Sequence, residues 1–199
     1  MKKPMNPRSA PESPEKTYQL KIELEGITPP IWRRVLMPGN VSLGRLHSII
    51  QVAMGWDNDH QHQFIIGKQV YSDPAFKLND SWGAPPVLNE KKTLLADIAP
   101  RAGKVLIYVY DFGDSWEHRI KVEKILKQTP SKRNTVECID GARACPPEDC
   151  GGSWGYEDLL QAFEDPKHKG HESTIEWLGE EFDPEAFNLE KTNAALRRH

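Results

Sequence analysis

Histidine and aspartate side chains at a few places in the sequence have the types and spacing that acid–base or metal chemistry requires. In the segment DFGDSWEH, two aspartates flank a glycine, and His118 follows four residues after Asp114. Carboxylate and imidazole groups transfer protons or hold a divalent cation. His47 joins them because it lies on the apolar face of a predicted helix. The candidate catalytic residues are therefore His47, Asp111, Asp114 and His118. The alternative is that the aspartates stabilise a turn and the histidines are neutral core residues.

A second set of side chains has the types that contact a ligand: Trp56, His62, Trp116 and Arg34. Two of them delimit the segment WDNDHQH, whose two acids and H-x-H pair are a weak metal signal. Arg34 follows Arg33 in a predicted strand, so the two side chains point to opposite faces. The inward-facing arginine would need a carboxylate partner, for which the candidates are Asp111, Asp114 and Glu148.

The segment CPPEDCGG has a backbone that its own residues restrict. Two prolines fix φ and two glycines allow positive φ, so we expect one defined path and a positive φ at Gly151 or Gly152. The predicted structural loop consists of Cys145, Pro146, Pro147, Glu148, Asp149, Gly151 and Gly152. The cysteine spacing C-x6-C-x4-C, beginning at Cys138, fits zinc knuckles poorly. No metal site is assigned, and no cofactor is predicted. A divalent metal remains an open alternative.

Composition places the chain among ordinary globular proteins. It has 199 residues, of which 38% are hydrophobic and 28% charged. Its longest apolar run, Val105 to Tyr110, is far shorter than the roughly 20 residues of a membrane span, so no membrane partner is expected. The N-terminus lacks a secretory h-region, and three cysteines do not make a disulfide framework. We therefore expect a cytoplasmic protein.

Charge is distributed unevenly along the chain. The net charge is −3, which argues against a dedicated nucleic-acid binder. Residues 141–190 carry 13 acidic and 3 basic residues, whereas the rest carries 16 acidic and 23 basic ones. The favoured interpretation is an acidic helical part packed on a basic sheet part. The alternative is a basic surface that binds an anionic ligand.

Hydrophobic periodicity predicts an α+β fold with a mostly antiparallel sheet. Alternation predicts a hairpin over residues 18–37, a buried strand over 104–111 and a long strand over 116–123. Helical spacing predicts a helix from Leu43 that ends at Gly55, and helices around 156–163 and 173–178. A further helix is predicted to begin at Asp183. The expected arrangement is a ββαβ, ubiquitin-like start and a C-terminal layer of helices.

Three stretches define the expected domain organisation. Residues 1–16 hold four prolines and few large apolar residues, which predicts a disordered leader. Residues 17–190 form a single α+β domain. Residues 191–199 form a helix end or tail.

Several motifs, in order, resemble one known family. They are PPIWRR (29–34), LxxLHxxIQxAMGW (43–56), DFGDxWxH (111–118), CIDGxxACPPEDCGG (138–152) and WLGxxFDPExF (177–187). The chain resembles the plasmid pRiA-type ORF-three-like family, also labelled the insertion-element passenger TnpR family. The resemblance implies an α+β fold, bacterial or archaeal origin and proximity to mobile elements. It implies no reaction, because this is a family of unknown function. The acidic tail also speaks against resolvase activity.

The leading interpretation is a non-enzymatic binding or accessory module whose partner is an unknown protein or small ligand. The first alternative is a metal-dependent hydrolase or nuclease built on His47, Asp111, Asp114 and His118. The second is a DNA-binding passenger protein that uses the basic half. We expect these four side chains to form one partly buried polar cluster, covered by Trp56 or Trp116, which is either a binding site or a polar network of the core.

Overall fold

The computed structural model describes residues 16–78, 86–127, 135–179 and 181–199. The predicted leader falls outside these ranges except for Lys16, which is the first residue of a strand. In the described part of the chain, the helices are all too short or too polar to cross a membrane.

Eight strands form one sheet. They are β1 (Lys16–Leu24), β2 (Ile31–Pro38), β3 (His62–Ile66), β4 (Gln69–Ser72), β5 (Leu88–Asn89), β6 (Val105–Tyr110), β7 (Trp116–Lys127) and β8 (Glu137–Ala142). Their order across the sheet is β5-β4-β3-β6-β7-β1-β2-β8. The strands pair antiparallel, apart from the parallel pair β4 and β5. The prediction of a mixed, mostly antiparallel fold is confirmed.

Five α-helices accompany the sheet: α1 (Leu43–Met54), α2 (Leu95–Ile98), α3 (Gly152–Glu164), α4 (His171–Leu178) and α5 (Leu189–Leu196). Short 3-10 turns lie at Pro74–Phe76 and Glu90–Lys92. Helix α1 begins at Ser42, whose hydroxyl accepts the N–H of Arg45, and ends at Gly55 in the left-handed conformation.

One face of the sheet carries the core. Strand alternation places Tyr18, Leu20 and Ile22 on the covered face, while Lys21 and Glu23 face outward. The register continues this face through Ile120 on β7, which lies opposite Ile22. Helix α1 covers this face. Its His47 and Gln51 side chains bond Tyr108 of β6, and the carbonyl oxygen of its Ala53 accepts from Arg33 of β2. Helix α5 packs beside α1 and β8.

Three details of the predicted architecture differ from the structure. The ubiquitin-like arrangement of the start is not confirmed, because β6 and β7 lie between β3 and β1. The helix predicted from Asp183 begins only at Leu189, with Asn188 as its N-cap. Strand β8, which borders β2 at the sheet edge, was not predicted, because its sequence ECIDGA has little β-branched or alternating character.

The inward-facing arginine is Arg33, and the expected carboxylate partner is wrong. Its guanidinium donates to the carbonyl oxygens of Ala53, Trp32 and Ala142 at 2.8–2.9 Å. The ring of Phe187 lies 4.4 Å from its Cζ. Burial lowers its pKa. Three carbonyls, one from the last turn of α1, replace the carboxylate because helix C-termini attract cations.

Candidate functional site

A polar cavity of about 530 Å³ opens beside the N-terminal half of α1. Four segments form its walls: the start of α1, the stretch that leads into β3, and the residues at each of the two 3-10 turns. We call it the histidine cavity. Its lining comprises Ser42, Gly44, Arg45, His47, Ser48, Asn58, Asp59, His60, Gln61, His62, Asp73, Phe76, Glu90 and Lys91.

Helix α1 positions the first histidine of the cavity. His47 and Gln51 stand one turn apart, so both reach the sheet on the same side of the helix. Nδ1 of His47 lies 2.8 Å from the hydroxyl of Tyr108, to which Gln51 Nε2 donates at 2.9 Å. The hydroxyl accepts from Gln51 and is left with one proton to donate to His47. His47 then carries its own proton on Nε2.

Burial keeps His47 neutral. The imidazole is 6% exposed. Burial, and then the neighbouring His62, lower its pKa to about 3, while Asn58 and Asp73 act weakly in the opposite direction. An imidazole with this pKa is uncharged throughout the physiological range.

The second histidine of the cavity stacks on the first. The rings of His47 and His62 are nearly parallel, with centroids 3.5 Å apart. His62 Nε2 lies 2.9 Å from Oε2 of Glu90, whose side chain is only 2% exposed. Nε2–H donates to this carboxylate, so Nδ1 keeps its lone pair. Within the described residues, the buried Nδ1 has no hydrogen-bond partner.

The charged residues at the cavity rim are only partly paired. Lys91 forms an ion pair of 2.7 Å with Asp73. Arg45 is half-buried and forms no ion pair or side-chain hydrogen bond with any residue that the structure describes. It lies in the first turn of α1, which holds no acidic residue. An unpaired cation therefore stands at a positive helix end.

A cluster of His60, Asp111, Glu148 and Asp149 lies next to the cavity, and His60 borders both. Asp111 Oδ2 lies 3.8 Å from Nδ1 of His60. On the other side of the ring, Nε2 lies 3.2 Å from Asp149 Oδ1 and 3.8 Å from Glu148 Oε2. We call these four residues the His60 cluster. Asp111 and Asp149 both have positive φ, which is uncommon outside glycine.

His118 lies in a different setting, among aromatic rings. It is fully buried, and its ring centroid is 5.1 Å from Trp56 and 5.3 Å from Tyr108. Nδ1 donates to the carbonyl oxygen of Trp116 at 3.1 Å, and Nε2 has no partner in the described part of the chain. Burial lowers the pKa of His118 to about 4. We call Trp56, Tyr108, Trp116 and His118 the aromatic enclosure.

The four candidate catalytic residues therefore occupy four different places. His47 belongs to the histidine cavity, His118 to the aromatic enclosure and Asp111 to the His60 cluster. Asp114 accepts the backbone N–H of Gly151 at 3.0 Å and so supports the loop. Among the described residues, no hydrogen bond, ion pair or ring contact joins two of these four side chains directly, and the single cluster expected from the sequence stays a prediction.

The candidate ligand-binding residues are divided as well. His62 lines the histidine cavity. Trp56 and Trp116 are buried in the aromatic enclosure, where the indole N–H of Trp56 donates to the carbonyl oxygen of Pro146 at 2.9 Å. Arg34 lies on the outer face of the sheet and pairs with Glu123 and Asp140, each at 2.8 Å.

The CPPEDCGG loop packs against this region through both backbone and side chains. The positive φ expected at one glycine is present at both Gly151 and Gly152. A Cβ on Gly152 would collide with the carbonyl oxygen of Asp114. Glu148 Oε1 accepts from the hydroxyl of Tyr110 and from the N–H of Asp57, both at 3.0 Å. The loop thus lies over the segment that follows α1. Burial raises the pKa of Cys145.

Comparison with known proteins identifies the family. Residues 16–191 match the family model described as plasmid pRiA4b ORF-3-like protein. The chain belongs to this family. The resemblance predicted from its motifs is confirmed.

Two relatives of the chain show what the family membership conveys. Uncharacterized protein y4hQ of Sinorhizobium fredii (strain NBRC 101917 / NGR234) is 37% identical over 180 residues, which cover 89% of each chain. The crystal structure of protein of unknown function MM3350 from Methanosarcina mazei Go1 matches with a TM-score of 0.78 and 36% identity. That match covers 89% of this chain and 98% of the other. These names assign no activity to the family, so function must be argued from the site.

Several residues of the histidine cavity and the His60 cluster could not be predicted from any pattern in the sequence. Glu90 lies in a stretch without periodicity and reaches His62 across 28 positions. The sequence around Gln51 predicts a helix and that around Tyr108 a strand, but neither pattern indicates that these side chains bond each other. His60 carried one signal, its place in the H-x-H pair, but its partners Asp111 and Asp149 are distant in sequence. Only the folded chain brings these groups together.

Proposed function

We propose that this chain is a non-enzymatic binding module whose histidine cavity takes a small polar ligand. The ligand class is one that carries both an acidic group and a hydrogen-bond donor, such as a phosphorylated or carboxylated metabolite. The observation that carries the proposal is the unpartnered Nδ1 of His62 in a side chain that lines an open polar cavity. A buried polar atom of this kind requires a partner, and a ligand or a water supplies it.

The charged side chains of the cavity favour an acidic group on the ligand. Glu90 is already paired with His62, and Lys91 forms an ion pair with Asp73. Among the described residues that line the cavity, Arg45 is thus the cation left for the ligand. It lies in the first turn of α1, where the helix dipole also favours negative charge.

The hydrogen-bond donor of the ligand is argued from the tautomer of His62. A neutral His62 whose Nε2–H donates to Glu90 has its lone pair on Nδ1, which then accepts a hydrogen bond. His47 stays neutral and lines the same cavity, where its Nε2–H can donate a hydrogen bond to the ligand. A ligand with a hydroxyl or amine group next to its acidic group satisfies all three side chains.

The family description supports the wider setting that we propose, an accessory protein of mobile elements. We also propose a cytoplasmic location. A protein partner is the other candidate for recognition. The metal-dependent hydrolase and the DNA-binding passenger protein stay predictions.

Isothermal titration calorimetry with citrate, glucose 6-phosphate and AMP tests the proposal on the full chain. At least one of these compounds should bind. Arg45→Gln and His62→Gln should each weaken binding about tenfold, the equivalent of one charge-assisted hydrogen bond.

The matched control is Arg34→Gln, which also removes one arginine but on the outer face of the sheet. It should leave the dissociation constant within about twofold, since no cavity contact changes. Absence of binding by all three compounds would contradict the proposed ligand class. Equal loss of binding in Arg34→Gln and Arg45→Gln would place the site elsewhere.

A further inference from the structure

We infer that His60, Asp111 and Asp149 form a binding site for a divalent cation, with Glu148 as an adjoining carboxylate. One nitrogen of His60 and one carboxylate oxygen from each aspartate lie within 4.8 Å of one another. Small side-chain rotations bring such atoms to the roughly 2.0–2.2 Å at which imidazole and carboxylate ligands hold a transition metal. This site is separate from the ligand proposed for the histidine cavity.

Three segments distant in sequence supply the ligand atoms. His60 precedes β3, Asp111 follows β6, and Asp149 comes from the CPPEDCGG loop. The pairing of β3 with β6 places His62 opposite Tyr110, so their neighbours His60 and Asp111 meet at the same end of the sheet. The N–H of Asp111 also donates to the carbonyl oxygen of Gln61 at 2.9 Å, which fixes this junction.

Uncompensated negative charge surrounds the site. Asp57, Asp59, Asp111, Asp114, Glu148 and Asp149 lie on the segments that form it, and within the described residues none of them forms an ion pair with a lysine or arginine. Three of them, Asp111, Glu148 and Asp149, lie within 4 Å of the ring nitrogens of His60. Carboxylates held together repel one another, and a bound cation removes that repulsion.

Two unpartnered carboxylate oxygens, of which Glu148 Oε2 is buried, point independently to a ligand. The Asp111 side chain is only 9% exposed; its Oδ1 accepts the N–H of Gly113 at 2.8 Å, whereas its Oδ2 accepts no hydrogen bond from the described residues. Glu148 Oε2 is likewise buried without a hydrogen-bond partner there. Both oxygens lie 3.8 Å from the His60 ring nitrogens. A metal held by either ring nitrogen of His60 would thus find a carboxylate oxygen that is free to bind it.

The ligand types narrow the class of cation. One imidazole with carboxylates suits first-row transition ions such as Mn²⁺ and Zn²⁺, whereas Mg²⁺ and Ca²⁺ prefer oxygen alone. Zn²⁺ is a poor probe for this chain, because the free thiols of Cys138, Cys145 and Cys150 also attract it. Mn²⁺ binds thiolates weakly and is visible by electron paramagnetic resonance.

The test is a titration of the full chain with Mn²⁺, followed by the loss of the free-ion resonance signal. Wild type should bind one Mn²⁺ per chain. His60→Gln and Asp149→Asn should each raise the dissociation constant about tenfold or more. Both side chains are partly or largely exposed, at 28% and 72%, so these variants should fold, which thermal unfolding checks.

Asp57→Asn is the matched control, because it removes one carboxylate near the site but outside the ligand set. It should change the dissociation constant less than threefold or so. Failure of wild type to bind Mn²⁺ would overturn the inference, as would equal effects of Asp57→Asn and Asp149→Asn. Arg45→Gln should retain Mn²⁺ binding, so failure of the cavity ligand and failure of the metal site are told apart.

Discussion

The two most deeply buried histidines of the described chain, His62 and His118, lie on either side of Tyr108 and have opposite surroundings. Each has one bonded nitrogen and one buried nitrogen without a partner. His62 belongs to a side-chain network that lines an open polar cavity. His118 is enclosed by Trp56, Tyr108 and the backbone of Trp116. An unsatisfied imidazole nitrogen therefore does not by itself mark a binding site.

What separates the two settings is the surroundings of the side chain: His62 lines an open cavity, whereas aromatic rings surround His118. An enclosure of aromatic rings leaves no room for a ligand and stabilises the fold through packing. A cavity with unpaired polar groups can accept a ligand that supplies the missing hydrogen bonds. We therefore expect variants of the aromatic enclosure to change the stability of the fold, and variants of the histidine cavity to change ligand binding.

The largest expected effect is the loss of stability in Trp116→Ala. Trp116 is 1% exposed at the centre of the aromatic enclosure, so its removal leaves a large void and should lower the free energy of unfolding by about 4 kcal/mol. Urea unfolding measures the change. Trp154→Ala is the control, because that side chain is 82% exposed and should cost less than about 0.5 kcal/mol. Similar losses in both variants would contradict the role of the enclosure.

A smaller loss is expected when the CPPEDCGG loop is forced away from the enclosure. Gly152→Ala should lower the free energy of unfolding by about 2 kcal/mol or more, because the residue has positive φ and its Cβ would meet the carbonyl oxygen of Asp114. Gly103→Ala is the control that measures the cost of a positive φ alone. Gly103 also has positive φ, but nothing lies within 4 Å of its Cβ position. Its loss should stay near 1 kcal/mol or so. Equal losses would show that the close approach to Asp114 is unimportant.

The pH dependence of stability should also report on the enclosure. The pKa of His118 is about 4 in the folded state, below its ordinary value of 6.5, so protons bind preferentially to the unfolded chain between these values. Stability is therefore highest above pH 6.5 and falls as the pH drops toward 4. Relative to wild type, His118→Leu should gain about 2 kcal/mol between pH 7 and pH 5. Urea unfolding at both pH values measures this, and a difference independent of pH would contradict the neutral, buried state of His118.

The smallest effect is expected on the outer face of the sheet. Arg34→Gln breaks its pairs with Glu123 and Asp140, which are partly exposed, and should lower the free energy of unfolding by less than about 1 kcal/mol. Raising the salt concentration should reduce the difference further. A loss as large as that of Gly152→Ala would mean that this face contributes far more than its exposure suggests.

Local patterns explain why parts of the fold could be predicted and the sites could not. The alternation from Tyr18 to Leu24 and the Ser42 and Gly55 caps depend on neighbouring residues, so the sequence indicates β1 and α1 directly. The pairing of His62 with Glu90, and of His60 with Asp149, depends on strand order and on loops. Strand alternation placed His118 on the covered face correctly, but it did not reveal that the rings of Tyr108 and Trp56 would surround it.

The most direct test of the central claim, that the cavity and not the enclosure binds ligand, is NMR of the full chain labelled with ¹⁵N-histidine. Spectra are recorded with and without the compound of the citrate, glucose 6-phosphate and AMP set that binds. The account predicts that the Nδ1 resonance of His62 and the Nε2 resonance of His47 shift on saturation, while both nitrogens of His118 stay unchanged. Unchanged His47 and His62 resonances at saturation, or a shift confined to His118, would contradict it.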